Sequence, residues 1–154
     1  MVYNTQAITI ATEGNLATSI PHIITAESPI SATIDGNGPY YDYEMEIVKR
    51  NTRTLVIVVT DDTGVVQDIT GFTMKLTVKK NSQDEDSEAV IGPVSATITD
   101  PVGGEGNIAL TAIHTNIPEG EYIYDIKIQN ADESSRHTVV GPSKFTVIDN
   151  VTQG

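Results

Sequence analysis

Apolar and polar residues alternate along much of the chain from about Met45 onward and predict a series of β-strands. The clearest case is the segment 72–79, where phenylalanine, methionine, leucine and valine alternate with threonine and lysine. A period of two places the apolar side chains on one face, so this segment is predicted to be a half-buried strand. The segment 54–60 is a short, continuous apolar, β-branched run, which is typical of a strand covered on both sides. Further strands are predicted at residues 44–48, 94–99, 107–110, 121–129, 137–140 and 144–148.

Seven or eight short strands at a spacing of about 8–12 residues are the size and rhythm of an immunoglobulin-like sandwich. No window shows a helical period over the ~11 residues that a helix needs. The sequence therefore predicts an all-β fold, an immunoglobulin-like antiparallel β-sandwich with an extended N-terminal arm. Gly141-Pro142 should break or bulge one of the last strands. The centre of the core is predicted to include Phe72, Met74, Leu76, Tyr122, Tyr124, Ile126, Phe145 and Val147.

The first 39 residues differ from the rest, because their apolar pieces are short and interrupted by proline. We predict a boundary here, with an arm at residues 1–39 that ends in the hinge Gly36-Asn37-Gly38-Pro39, and a sandwich at residues 40–154. Two interpretations stay open: the arm pairs with a neighbouring subunit, or it adds strands to its own domain. If the arm pairs with a neighbouring subunit, a chain that starts near Tyr40 should fold as a soluble monomer. The candidate partner-binding side chains of the arm are Ile8, Ile10, Ile20, Ile23, Ile24, Ile30 and Ile34.

Composition excludes several kinds of chemistry and of partner. The chain has no cysteine, so disulfides and thiolate sites are excluded. Its formal net charge of −12 opposes binding to nucleic acid or to an anionic membrane surface, both of which need Lys and Arg. The N-terminus has neither a basic segment nor a long apolar segment of a secretory signal.

Candidate catalytic or metal-binding residues do not form a recognisable motif. His22, His114 and His137 lie far apart, without metal-ligand spacing. The acidic stretch 81–88 lacks the spacing of a calcium-binding loop, and we predict a solvated loop. The glycine-rich stretch 103–106 lacks the Lys-Ser/Thr pair that follows a phosphate-binding loop, and no serine lies in a G-x-S-x-G turn. We therefore expect no enzyme activity, no cofactor and no metal.

Several short motifs occur in a fixed order between Leu55 and Thr152. After the buried strand come Asp62-Thr63-Gly64 and Asp68-Ile69-Thr70-Gly71-Phe72-Thr73, then Gly120-Glu121-Tyr122-Ile123-Tyr124-Asp125-Ile126. The last are Gly141-Pro142-Ser143-Lys144-Phe145-Thr146-Val147 and Asp149-Asn150-Val151-Thr152. In order and spacing, this part of the chain resembles the immunoglobulin-like N-terminal domain of upper baseplate proteins of lactococcal siphophages, and related β-sandwich domains of phage tail, baseplate and head-fibre proteins.

The resemblance implies a bacteriophage virion protein without catalytic residues, assembled in the host cytoplasm. Its implied partners are other virion proteins (capsid, tail or fibre subunits), with homo-oligomers in the particle. The baseplate proteins continue into a fibre or receptor-binding part, whereas this sequence stops two residues after Thr152. We therefore expect a short adaptor, decoration or fibre-anchoring component. The alternative is a stand-alone surface- or carbohydrate-binding module, since a sandwich fold alone does not decide function.

Overall fold

A computed structural model describes residues 30–149 of the chain. Its regular structure in this range is ten β-strands and a 3-10 helix at Asp86–Glu88. The strands are β1 (Ile30–Ile34), β2 (Asn37–Tyr40), β3 (Met45–Val48), β4 (Arg53–Asp61), β5 (Phe72–Lys79), β6 (Ile91–Ser95), β7 (Thr97–Asp100), β8 (Glu105–Leu110), β9 (Gly120–Asn130) and β10 (Arg136–Ile148).

The ten strands form two five-stranded sheets that pack face to face. Sheet I has the order β2-β1-β4-β8-β7, and sheet II has the order β3-β10-β9-β5-β6. All pairs are antiparallel except β3 with β10. Within sheet I, β1-β4-β8-β7 reproduces the A-B-E-D order of immunoglobulin domains, and β10-β9-β5 reproduces the G-F-C order of the facing sheet. The fold is therefore an immunoglobulin-like β-sandwich, as the sequence predicts.

The core lies between the two sheets and consists of the inward residues of alternating strands. Seven of the eight predicted core residues are buried, and Phe72 is partly buried and packs against the same cluster. At the centre, the rings of Tyr124 and Phe145 meet edge to face with centroids 5.9 Å apart. Such a pair adds ~0.5–1.5 kcal/mol to the free energy gained from burying the two rings.

Two tyrosines of β9 place hydroxyl groups where this fold commonly uses them. The Tyr122 hydroxyl donates to the Pro118 carbonyl oxygen at 2.7 Å, which is the tyrosine corner of immunoglobulin domains. Two residues later, Tyr124 occupies the position that holds the second disulfide cysteine in antibody domains. Its hydroxyl donates to the carbonyl oxygen of Tyr43, so a buried side chain of β9 also anchors the segment before β3.

The predicted interruption at Gly141-Pro142 is a bulge inside β10. The register against β9 shifts between Val140 and Ser143, after which the strand continues to Ile148. Gly141 has φ +96°, and a Cβ at this position would lie 2.5 Å from the Tyr124 carbonyl oxygen. The site therefore requires glycine for both its backbone angle and its space.

The predicted boundary at Tyr40 is wrong for residues 30–39. Strand β1 pairs with β4 along its whole length and with β2 on its other side, so it is an interior strand of sheet I. Of the predicted hinge, Gly36 lies in a tight turn with Asp35 (φ 85° and 51°, respectively), and the other three residues belong to β2. Residues 30–39 therefore follow the second interpretation, in which they add strands to their own domain.

Candidate interaction surfaces

The predicted partner-binding isoleucines divide into two groups. Ile30 and Ile34 are 8% and 1% exposed, respectively, and belong to the core of their own sandwich, so they are not available to a partner. The remaining five, Ile8, Ile10, Ile20, Ile23 and Ile24, lie outside the described residues. Ile30, the first described residue, pairs with Asp61 at the end of β4.

The acidic stretch 81–88 is organised by a lysine. The Lys79 Nζ lies 2.7 Å from Asp86 Oδ1 and donates to the Asp84 carbonyl oxygen at 2.9 Å. The hydrogen bond and the charge of Lys79 lower the pKa of the Asp86 carboxyl. Between residues 30 and 149, no three His, Asp or Glu side chains converge in a group that could hold a metal ion.

Three further carboxylates stabilise turns through the same Asp-x-Ser/Thr pattern. Asp61 Oδ1 accepts hydrogen bonds from the Thr63 backbone N–H at 2.8 Å and from its hydroxyl at 2.7 Å. Asp68 with Thr70, and Asp132 with Ser134, repeat the arrangement. Such local side-chain bonds fix turns. These acidic groups are used for structure in the loops that follow β4 and β9.

The two described histidines make local contacts. The His114 Nδ1 accepts from the Thr111 backbone N–H at 3.0 Å. The His137 Nε2 lies 3.0 Å from the hydroxyl of Ser135, two residues earlier and next to the start of β10. The third histidine, His22, lies outside the described residues.

An exposed apolar cluster, which we call the valine end, lies where the loops after β4 and β7 meet. Val65, Val66 and Val102 are 52%, 48% and 67% exposed, respectively. Val66 bridges to Thr60 of β4, and the Ile69 N–H donates to the Pro101 carbonyl oxygen at 2.8 Å, which brings the two loops together. The alternation of apolar and polar residues did not predict this cluster. Its signal is the pair Val65-Val66 directly after the Asp-Asp-Thr-Gly turn, where polar residues are usual.

The outer face of sheet II carries a shallow mixed-charge depression. It has a volume of about 390 Å³, and Ile123 and Pro142 contribute to its lining. A smaller depression of about 60 Å³ shares those two residues and reaches Asp125. Charged side chains border the larger one: Asp42, Glu44, Lys80, Glu121 and Lys144.

The described residues include no helix of the length and apolar character that a membrane crossing requires.

Comparison with known proteins gives only a likeness in fold. No family model matches the chain, and no curated protein matches it. One similar solved structure is that of titin domains Z1Z2 in complex with telethonin (13% identity, 82% of this chain and 51% of that chain, TM-score 0.37). A second is the titin M10–obscurin-like 1 Ig complex (16% identity, 81% of this chain and 99% of that chain, TM-score 0.36). A third is Dpr1 IG1 bound to DIP-eta IG1 (10% identity, 80% of this chain and 100% of that chain, TM-score 0.35). The chain thus spans about half of the titin Z1Z2 chain. At these identities and TM-scores the likenesses say nothing about function.

Proposed function

We propose that this protein is a non-catalytic structural component of a bacteriophage particle, a short adaptor, decoration or fibre-anchoring protein that connects other virion proteins. The observation that carries the proposal is the ordered set of motifs between Leu55 and Thr152. In the sandwich these motifs fall at successive structural positions: the turn after β4, the start of β5, the tyrosine corner of β9 and the bulge of β10. Their order therefore follows the architecture of the domain.

Docking in the particle is assigned to the N-terminal residues together with the valine end. Five isoleucines precede residue 30, and burying each such side chain is worth ~1.5–3 kcal/mol. Ile30, the residue that follows them in the chain, pairs with Asp61, whose N–H donates to the Val65 carbonyl oxygen at 2.9 Å. A partner that binds the N-terminal residues therefore also lies within reach of the three exposed valines.

A structural role also agrees with how the polar side chains are used. Asp61, Asp68, Asp132 and Asp86 are held in turns or in an ion pair. A carbohydrate-binding role has less support, because such sites usually present aromatic platforms. Among the aromatic side chains between residues 30 and 149, Tyr41 alone is more than half exposed, at 54%.

The proposal is tested on particles released by cells that produce the chain. Particles are purified on a density gradient, their proteins are quantified by mass spectrometry, and an antibody to the sandwich is used for immunogold microscopy. We expect the chain at a fixed ratio to the major capsid protein and labelling at one region of the particle. Absence of the chain from purified particles, with the chain still abundant in the lysate, would contradict the proposal.

A further inference from the structure

The start of β2 contains a reactive pair of residues, Asn37 and Gly38. No other asparagine of the sequence is followed by glycine. Both residues are exposed, and β2 is the outermost described strand on its side of sheet I. The backbone nitrogen of the residue after an asparagine can attack the side-chain amide, because the two groups are held close enough to close a five-membered ring. Glycine favours this attack most, since it places no Cβ beside the nitrogen.

The fold requires glycine at position 38. Its φ is +126°, and a Cβ there would lie 2.9 Å from the Tyr40 backbone nitrogen and 3.0 Å from the Ala32 carbonyl oxygen. Side chains other than glycine rarely adopt this angle, and these distances leave no room for one. The Asn37 amide, by contrast, makes an exposed hydrogen bond in which its Nδ2 donates to the Asp35 carbonyl oxygen at 3.3 Å. Packing therefore keeps the most permissive neighbour next to an amide that water can reach.

The hairpin directs the Gly38 nitrogen toward solvent. Asp35 and Gly36 both have positive φ, as the two central residues of a tight hairpin turn do. Ile34 pairs with Asn37 across this turn, and the pair that closes such a turn exchanges its N–H···O bonds. The N–H of the next residue, Gly38, therefore points away from β1 to the outer edge of β2. The register between β1 and β2 shifts just beyond this pair, so the ladder does not hold the Asn37 backbone on both sides.

The preceding pair, Asp35-Gly36, has the same spacing but is held in place. The Arg53 Nη2 lies 3.3 Å from Asp35 Oδ2, and the Val56 N–H donates to Asp35 Oδ1 at 3.0 Å. Both carboxylate oxygens are thus engaged by β4, and a carboxylate is a poorer electrophile than an amide. The hairpin therefore presents two residues that precede glycine, of which the amide is the reactive one.

We propose that Asn37 is a site of spontaneous modification, at which the side-chain amide is converted to isoaspartate and aspartate. The Gly38 nitrogen loses its proton to solvent and forms a bond to Asn37 Cγ. The Cγ–Nδ2 bond then breaks, and the nitrogen leaves as ammonia with a proton taken from water. This leaves a five-membered succinimide that contains the Gly38 nitrogen.

Water opens the succinimide at either of its two carbonyl carbons. Breaking the bond between the Gly38 nitrogen and Cγ gives aspartate. Breaking its bond to the backbone carbonyl carbon of residue 37 instead leaves the chain linked through Cγ, which is isoaspartate. Overall, one amide and one water give one carboxylate and one ammonium ion, so the reaction needs no oxidant, reductant or enzyme.

The modification changes the edge of sheet I and leaves the core intact. Both products add a negative charge close in sequence to the ion pair of Asp35 with Arg53. Isoaspartate also lengthens the backbone by one carbon, so β2 loses its register with β1. The first three residues of β2 are exposed, and β1 stays paired with β4 on its other side. The reaction consumes only water, so it can fail while the role in a particle stands.

Mass spectrometry of the full chain, incubated at physiological pH and temperature, tests the proposal. Trypsin releases Asn37 in the fragment 1–49 and Asn81 in the fragment 81–127, and electron-transfer fragmentation separates isoaspartate from aspartate. Asn81 is also exposed but precedes a serine, whose Cβ crowds the nitrogen. We expect Asn37 to react at least about tenfold faster than Asn81. Its rate should rise from pH 6 to pH 8, because the attacking nitrogen must lose a proton.

A variant and a peptide serve as references. Asn37→Gln would need a larger ring, so position 37 should then stay unmodified in a chain that circular dichroism shows to be folded. A synthetic peptide of residues 33–41 gives the unrestrained rate, and the folded chain should react within about tenfold of it, since a hairpin at a sheet edge opens at little cost.

The proposal is overturned if Asn37 keeps its amide in the folded chain after the peptide has been fully converted. It is also overturned if Asn81 reacts as fast as Asn37. After conversion, hydrogen exchange should become faster in β2 and stay slow in β4. Unchanged exchange in β2 would contradict the predicted loss of register.

Discussion

The side chains that fill the space between the sheets are large and fully buried. Phe145 and Ile126 are both 0% exposed, and Phe145 also makes the ring contact with Tyr124. Replacing Phe145 or Ile126 with Ala leaves a cavity and removes buried apolar surface, which should lower the free energy of unfolding by about 2–5 kcal/mol. Chemical denaturation measures the loss in free energy of unfolding, and Glu46→Ala, at an exposed position of β3, is the control. A loss below ~0.5 kcal/mol, the level of surface substitutions, would show that the assigned register is wrong.

Asp61 gives a prediction with a defined dependence on pH. Desolvation raises the pKa of its carboxyl, but hydrogen bonds from the Thr63 hydroxyl and from the Val65, Thr63 and Gly64 backbones outweigh this, so the pKa falls below its ordinary value of 3.8. A depressed folded pKa contributes stability above the unfolded pKa, and that contribution disappears as the pH falls through the folded value. Asp61→Ala should therefore cost about 1 kcal/mol near pH 7.

The same comparison at low pH separates this effect from simple loss of contact. Below pH 3.8 the difference in unfolding free energy between the unmodified chain and Asp61→Ala should shrink. The neighbouring Asp62→Ala is the control and should change little at either pH. A difference that stays constant from pH 7 down to pH 2.5 would contradict the assigned role of the ionised carboxylate.

At the level of the strands, the bulge of β10 depends on Gly141. A methyl group there would meet the Tyr124 carbonyl oxygen at 2.5 Å in addition to the strain of φ +96°. Gly71 is a matched control, because its φ is +82° and nothing lies within 4 Å of the added carbon. Backbone strain alone is worth about 1–3 kcal/mol and acts at both sites. Gly141→Ala adds the clash with the carbonyl oxygen, so it should lower the free energy of unfolding clearly more than Gly71→Ala does. Equal losses would mean that the backbone yields at the bulge.

Strand β1 is an integral part of the folded domain. Its Ala32 and Ile34 are 0% and 1% exposed, and removing the strand would uncover the flank of β4 in the middle of sheet I. A chain starting at Ile30 should fold cooperatively, and a chain starting at Tyr40 should not. Near-UV circular dichroism and denaturant unfolding of both chains measure this. A folded, cooperative chain starting at Tyr40 would restore the boundary first predicted from the sequence.

Over the whole molecule, the fold followed from the sequence where a strand had its own alternating pattern. Residues 72–79 needed no tertiary information, because three buried side chains and the partly buried Phe72 alternate with four outward side chains without interruption. The error came at residues 30–39, where the alternation was present but prolines and glycines also suited an arm. Which neighbour such a strand pairs with depends on contacts with β4, some 25 residues away, and no local pattern carries that information.

The candidate surfaces were less accessible from sequence than the fold. The isoleucines before residue 30 were evident from composition, but the valine end arises only where two distant loops meet. The mixed-charge outer face of sheet II was likewise hidden, since residues such as Lys75 and Lys127 are 52 positions apart and become neighbours only through the pairing of β5 with β9.

The central claim is that the sandwich from Ile30 onward is complete as a fold and that the preceding residues attach it to the particle. Incorporation into particles, compared between the full chain and a chain starting at Ile30, tests this most directly. We predict unfolding free energies within ~0.5 kcal/mol of each other, the range of changes that leave the core untouched, together with loss of the shortened chain from purified particles. A shortened chain that folds and is incorporated as well as the full chain would contradict the account.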